Sequence, residues 1–136
     1  MDARAVAERF RTAVEAGHAE GIAELLAPTA VLHSPVTFHP FRGAEAVGMV
    51  LKAVSEVFEE FRYVDELGGE ETHGLVFEAK IGDRDVTGVD LFRATSDGRI
   101  SELTVLIRPL SGLIALAEAM RPKVEAALAE AAQASA

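Results

Sequence analysis

Few side chains in this chain have both the chemistry and the setting for catalysis, and Asp90 is the first of them. It stands in Asp85-Val86-Thr87-Gly88-Val89-Asp90-Leu91-Phe92-Arg93, a run that alternates in the manner of a strand and places one carboxylate among apolar neighbours. Burial disfavours the charged form of a carboxyl group. Such an acid becomes a base poised nearer neutrality or a neutral hydrogen-bond donor. The alternative is that a buried His, Arg or Tyr pairs with Asp90 and the pair only orders the strands.

The other candidates carry less. His18, His33, His39 and His73 are the four histidines, and cysteine is absent. None of the histidines has the i, i+4 spacing of a helical metal pair, and no thiolate is available. No metal site and no cofactor are therefore expected. His39 sits in an apolar loop where it could cap a pocket mouth or pair with Asp90. Ser34 precedes Pro35 and lacks the Gly-x-Ser-x-Gly setting of a nucleophile, so it reads as a turn-initiating serine. Tyr63 is the sole tyrosine, hence the one phenol that could act as an oxyanion donor; a half-buried strand aromatic is its plainer role.

The elements that must position these groups can be read from periodicity. Residues 2–16 form an amphipathic helix with Val6, Phe10, Ala13 and Val14 on one stripe. A short helix from about His18 to Leu26 is expected to stop at Pro28, followed by a strand at 30–34. The loop 35–43 holds two prolines and two phenylalanines, and an apolar loop of that kind should border a cavity or an interface. A third helix is expected over 44–60, with Val47, Val50, Leu51, Val54 and Phe58 as its stripe. The period then changes to two. Strands are expected at 62–67, 75–81, 85–95 and 100–108, with turn chemistry at Gly82-Asp83 and Ser96-Asp97-Gly98. A final helix should run from Leu110 to about Glu130, its apolar stripe Leu113, Ala117, Met120, Val124 and Leu128, kinked or broken at Pro122.

This order gives a single α+β domain over 1–136, four of its strands in an antiparallel meander. A curved sheet with helices on its concave face would enclose a pocket. Reading the last two strands by faces puts Val86, Phe92, Leu103, Val105 and Ile107 on the core side, and Asp90 falls among them. Phe10, Ser34, His39, Phe58, Tyr63 and Phe77 complete the expected lining. The opposite face mixes Val89, Leu91 and Leu106 with Thr and Arg. It suits a wet subunit interface, so a homodimer is expected.

Composition narrows the function classes. A net charge of −9, from 13 basic and 22 acidic residues, argues against binding to nucleic-acid backbones or anionic membranes. No run approaches the roughly 18 to 20 apolar residues of a membrane span. The first residues carry charges where a signal peptide needs its apolar core. A cytoplasmic protein is expected.

The pattern Ser34-Pro35, Arg42-Gly43, Gly88-Val89-Asp90-Leu91-Phe92-Arg93 and Asp97-Gly98-Arg99-Ile100 resembles the nuclear transport factor 2-like superfamily. Within it, the likeness is nearest to ketosteroid-isomerase-like and SnoaL-like polyketide-cyclase domains. The resemblance runs from Val6 to about Pro109. It implies a cone-shaped, cystatin-like α+β fold with a deep apolar pocket, commonly dimeric. It also implies that Asp90 matches the protonated Asp of ketosteroid isomerases. Their proton-shuttling Asp is matched by Ser34 and their helix-one Tyr by Phe10. The limonene-epoxide-hydrolase branch has Arg where this chain has Gly88, and Asp where it has Val105. The expectation is a protein that takes a small hydrophobic molecule. It would be a cofactor-free isomerase, cyclase or hydrolase using Asp90 for proton transfer, or else a non-catalytic binding or dimerisation module.

Overall fold

The computed structural model describes the backbone of residues 2–134 and the side chains of residues 2–127 and Ala129. Helix α1 spans Ala3–Glu15, opened by Asp2, whose carboxylate accepts the Ala5 N–H at 2.9 Å. That bond satisfies one of the N–H groups a helix start leaves unpaired. Val6, Ala7 and Phe10 form its buried stripe. After α2 (Ala19–Leu25) the chain turns directly into β1 (Leu26–His33).

The boundary differs from the expected stop at Pro28, which lies inside β1. A proline lacks the N–H a ladder needs. Pro28 is tolerated because pairing with the neighbouring strand is irregular between Leu26 and Val31. The two-residue β2 (Phe41–Arg42) follows, then α3 (Ala44–Val57) and β3 (Glu59–Gly68). Helix α3 ends three residues earlier than the periodicity predicts. Phe58 adopts an extended backbone, and its ring joins those of Phe61 at 5.5 Å and Phe77 at 5.6 Å.

Strands β4 (His73–Ile81), β5 (Arg84–Ala94) and β6 (Ile100–Arg108) complete a six-stranded curved sheet of order β2-β1-β6-β5-β4-β3. All neighbours are antiparallel except β1 and β6. The turn from β5 to β6 is built by Thr95, Asp97 and Gly98. The Thr95 hydroxyl meets the Asp97 carboxylate and accepts the Arg99 N–H at 3.0 Å, and Gly98 has φ +84°.

Helix α4 (Leu110–Ala134) is one continuous α-helix with Pro122 inside it. Of the kink or break expected there, the break does not occur. Leu113, Leu116 and Met120 before the proline pack against Ala79, Ile81 and Val86 of the sheet, which holds the helix in place. Leu128, expected on the same stripe, lies outside the described side chains. No helix is long and apolar enough to cross a membrane, among the described residues.

The core lies between the sheet's inner face and the helices. Along β4 and β5, alternate residues are buried: Leu75, Phe77, Ala79 and Ile81 on one strand, Val86, Gly88, Asp90 and Phe92 on the other. Helix α1 packs on β4 and β5, α3 on β1, and α4 on α3 and β5.

Candidate functional site

The inner face of the sheet is covered unevenly, which leaves a cavity of about 730 Å³. Its walls come from α1, α2, α3 and α4 and from the strands β1, β3, β4, β5 and β6. Of the expected lining residues, Phe10, Ser34, Phe58, Tyr63, Phe77, Asp90, Val105 and Ile107 border it. Val86, Phe92 and Leu103 do not. They face inward, but each is at most 2% exposed and packed into solid core.

His39 is also outside the cavity. It lies exposed on the loop with its ring 5.9 Å from that of Phe38. The same loop contributes Pro35, Val36 and Thr37 to the cavity wall. Ser34 borders the cavity while its hydroxyl accepts the Val36 N–H at 3.1 Å. That bond is the turn-initiating use its sequence context suggested.

Asp90 is 7% exposed. Its partner is the phenol of Tyr63, which donates to Asp90 Oδ2 at 3.0 Å. The register explains how a residue of β3 reaches β5. Tyr63 faces Phe77 across the ladder, and Phe77 faces Gly88, two residues before Asp90. Two strand spacings amount to about 10 Å, a span that the extended phenol and the carboxylate bridge together. Gly88 is what leaves room for the ring between them. A β-carbon on Gly88 would stand 2.3 Å from Phe77 Cζ and 2.7 Å from the Leu106 carbonyl oxygen. A side chain at this position, arginine included, is thereby excluded by packing.

The surroundings of the pair are apolar. Phe77 stacks on Phe61 at 4.9 Å, and Phe61 meets Tyr63 edge-on at 5.0 Å. Burial in this setting pushes the Asp90 carboxyl up to about 7, against a smaller opposing pull from the Tyr63 hydrogen bond. Burial first, then the nearby Asp90 charge, holds the Tyr63 phenol far above its ordinary value, so it stays protonated and donates. On its outer side the Tyr63 ring carries the Arg11 guanidinium, 5.8 Å from the ring centre, within the range of a cation–π contact.

Of the remaining histidines, two are engaged elsewhere. His33 pairs with Glu102 at 2.8 Å, and buried His73 pairs with Glu66 at 3.2 Å. His18 borders the cavity from the turn between α1 and α2. Among the described residues, no three His, Asp or Glu side chains converge as a metal-binding group.

Sequence reasoning missed most of the helical wall, including Val14, Ile22, Leu51, Leu116 and Met120. It left the partner of Asp90 open among a buried His, Arg or Tyr, and the structure supplies Tyr63. The helical residues were visible as apolar stripes; the pairing has no local signature.

A curved, mostly antiparallel sheet wrapped by helices around an inner cavity is the cystatin-like architecture of nuclear transport factor 2-like proteins. Residues 7–103 match the SnoaL-like domain family, and the chain belongs to it. Among solved structures, the chain is similar to a steroid delta-isomerase from Pseudomonas aeruginosa. The two are 36% identical with a TM-score of 0.87, over 93% of this chain and 94% of that one. It is also similar to an uncharacterised protein with a cystatin-like fold from Silicibacter pomeroyi, 32% identical with a TM-score of 0.82, over 87% and 84% of the two chains. A Xanthomonas campestris protein of unknown function with a cystatin-like fold shares the architecture at 24% identity and a TM-score of 0.69, over 85% and 98%. No curated protein matches the chain.

Proposed function

We propose that the protein binds a small hydrophobic, carbonyl-bearing molecule in the cavity and that Asp90 moves a proton at it without a cofactor. The observation that carries this reading is a buried carboxyl group, raised to about 7, opening on an apolar cavity with a tyrosine as its partner. Near neutrality such a group is present in both protonation states, which suits it to take a proton from carbon and return it. The Tyr63 hydroxyl, whose one proton goes to Asp90 Oδ2, orients that carboxyl at the same site. In this chain the phenol comes from β3, while the helix position that carries it in ketosteroid isomerases holds Phe10. The likeness to a steroid delta-isomerase supports an isomerase, and the SnoaL-like family membership supports a cyclase; both chemistries need proton transfer next to a carbonyl.

The test is exchange of α-hydrogens of a β,γ-unsaturated cyclic ketone in D₂O, followed by NMR. General acid–base groups contribute on the order of 10²-fold or more, so Asp90→Asn should slow the exchange at least that much. Equal rates for the two proteins would sink the proton-transfer reading.

The second reading is a binding module of the same fold. It is favoured by Ser34, which stands where the shuttling base is expected and has its hydroxyl turned to the Val36 N–H. Saturable ketone binding with no exchange dependent on Asp90 is its signature.

The outer sheet face is the proposed homodimer surface. Leu106 is 52% and Val64 48% exposed there, beside half-buried Val89 and Leu91. Leu106→Arg should halve the mass seen by light scattering at micromolar concentration; a wild-type protein already monomeric there would remove the dimer from the reading.

A further inference from the structure

The rim of the cavity has a charge pattern that the proton-transfer site does not use. The chain carries 22 acidic and 13 basic residues, so its surface is predominantly anionic. At the exposed rim of the cavity the balance is two basic residues to one acidic. Asp90 is buried in the wall, and the exposed charged residues bordering the space are Lys52 on α3 with Arg121 and Glu125 on α4.

Most basic side chains of this protein face a carboxylate within 4.0 Å, as Arg11 faces Glu15 and Lys123 faces Glu56. Lys52 and Arg121 have no such partner among the described residues. Glu125 is one turn beyond Arg121 on the same helix and is not paired with it. Two unpaired cations therefore border an apolar cavity in an acidic protein. They come from the two helices that pack together beside it.

We infer that the ligand is amphipathic: an apolar body with an anionic group, a carboxylate, sulfonate or phosphate, held at the rim by Lys52 and Arg121. This rests on the reading of the cavity as a ligand site and adds the chemical class of the ligand's outer end. The neutral oxygen function goes to Asp90 and Tyr63, where a second anion would be repelled once Asp90 ionises. The anionic end stays at the rim, where the exposed Lys52 and Arg121 meet it with part of their hydration kept. Lys52 is a compact point charge and Arg121 a planar fork, so together they accept anions of different geometry. Such an attraction between exposed charges is modest and falls with ionic strength.

Two dyes that differ by one sulfonate test the assignment: 1-anilinonaphthalene-8-sulfonate and neutral N-phenyl-1-naphthylamine. Their affinities are measured by fluorescence titration at one pH, and each is challenged with the other. In the wild type each dye should displace the other, and the sulfonate's advantage should shrink as salt is raised. In Lys52→Gln/Arg121→Gln, the ratio of sulfonate to neutral affinity should fall about fivefold, the size expected of two exposed charge contacts. In Glu125→Gln the ratio should rise.

An unchanged ratio in both variants, with mutual displacement intact, overturns the anionic end and leaves the cavity reading standing. Sulfonate binding that does not displace the neutral dye puts the anion outside the cavity and also overturns it. Failure of the neutral dye to bind saturably removes the cavity reading itself, and this inference with it.

Discussion

Phe92 and Asp90 are two residues apart on one face of one strand, yet they lie in different kinds of interior. Phe92 is fully buried, with Phe10 of α1 packed edge-on against it at 4.9 Å. Asp90 opens on the cavity. Phe10 belongs to both regions, since it packs on Phe92 and also borders the cavity. It is the partition between a solid core and an open site. The contrast shows how one sheet can supply rigidity and a pocket together: α1 packs on it at the Phe92 end and α4 at the Val86 end, and the cavity that Asp90 borders lies between.

The largest test of that contrast is truncation on each side of the partition. Phe92→Ala removes a ring from close-packed core and should cost about 3–5 kcal/mol in urea denaturation. Val105→Ala removes methyls that border existing space and should cost about 1 kcal/mol or less, because little new void is made. Equal losses would mean that the two regions are packed alike.

The pH dependence of stability sharpens the comparison further. The folded-state value of Asp90, about 7, lies above its ordinary 3.8. Between those values the folded protein holds a proton that the unfolded chain releases, so wild-type stability should fall as pH rises from about 4 to about 7. The slope would be at most about 1.4 kcal/mol per pH unit. Asp90→Asn should flatten that slope and be more stable than the wild type at pH 8. A wild-type profile already flat from pH 4 to 8 would place Asp90 in a wetter setting than the geometry shows.

The smallest expected effect is that of Tyr63→Phe. The Tyr63 hydrogen bond favours the charged carboxylate, so its loss should move the Asp90 midpoint upward in a carboxyl NMR titration. A downward shift would contradict the donor role of the phenol.

Much of this arrangement was legible in the chain. The period-two pattern placed Asp90 on the inner face, because alternation along a strand is a local property. The same alternation put Val86, Phe92 and Leu103 beside it, and there it could not separate core from cavity. That distinction depends on where helices cross the sheet, which no strand encodes. His39 looked suited to the site because its loop is apolar, yet only 35–37 and Phe41 of that loop border the cavity, and Phe38 is 94% exposed. Tyr63 was recognised as the available phenol. Its pairing with Asp90 depended on Gly88 admitting Phe77 between the two strands, a relation that spans three strands of the ladder.

The parallel pairing of β1 with β6 has a consequence for the order of assembly. His33 and Glu102, joined across that pair, are 69 positions apart. The meander from β3 to β6 can form from near neighbours, but β1 has no place in the sheet until its last strand exists. Contacts of such long sequence separation form slowly. Leu32 of β1 and Ile107 of β6 are both walls of the cavity. Binding competence should therefore be the last property to return on refolding, after the meander has recovered its secondary structure.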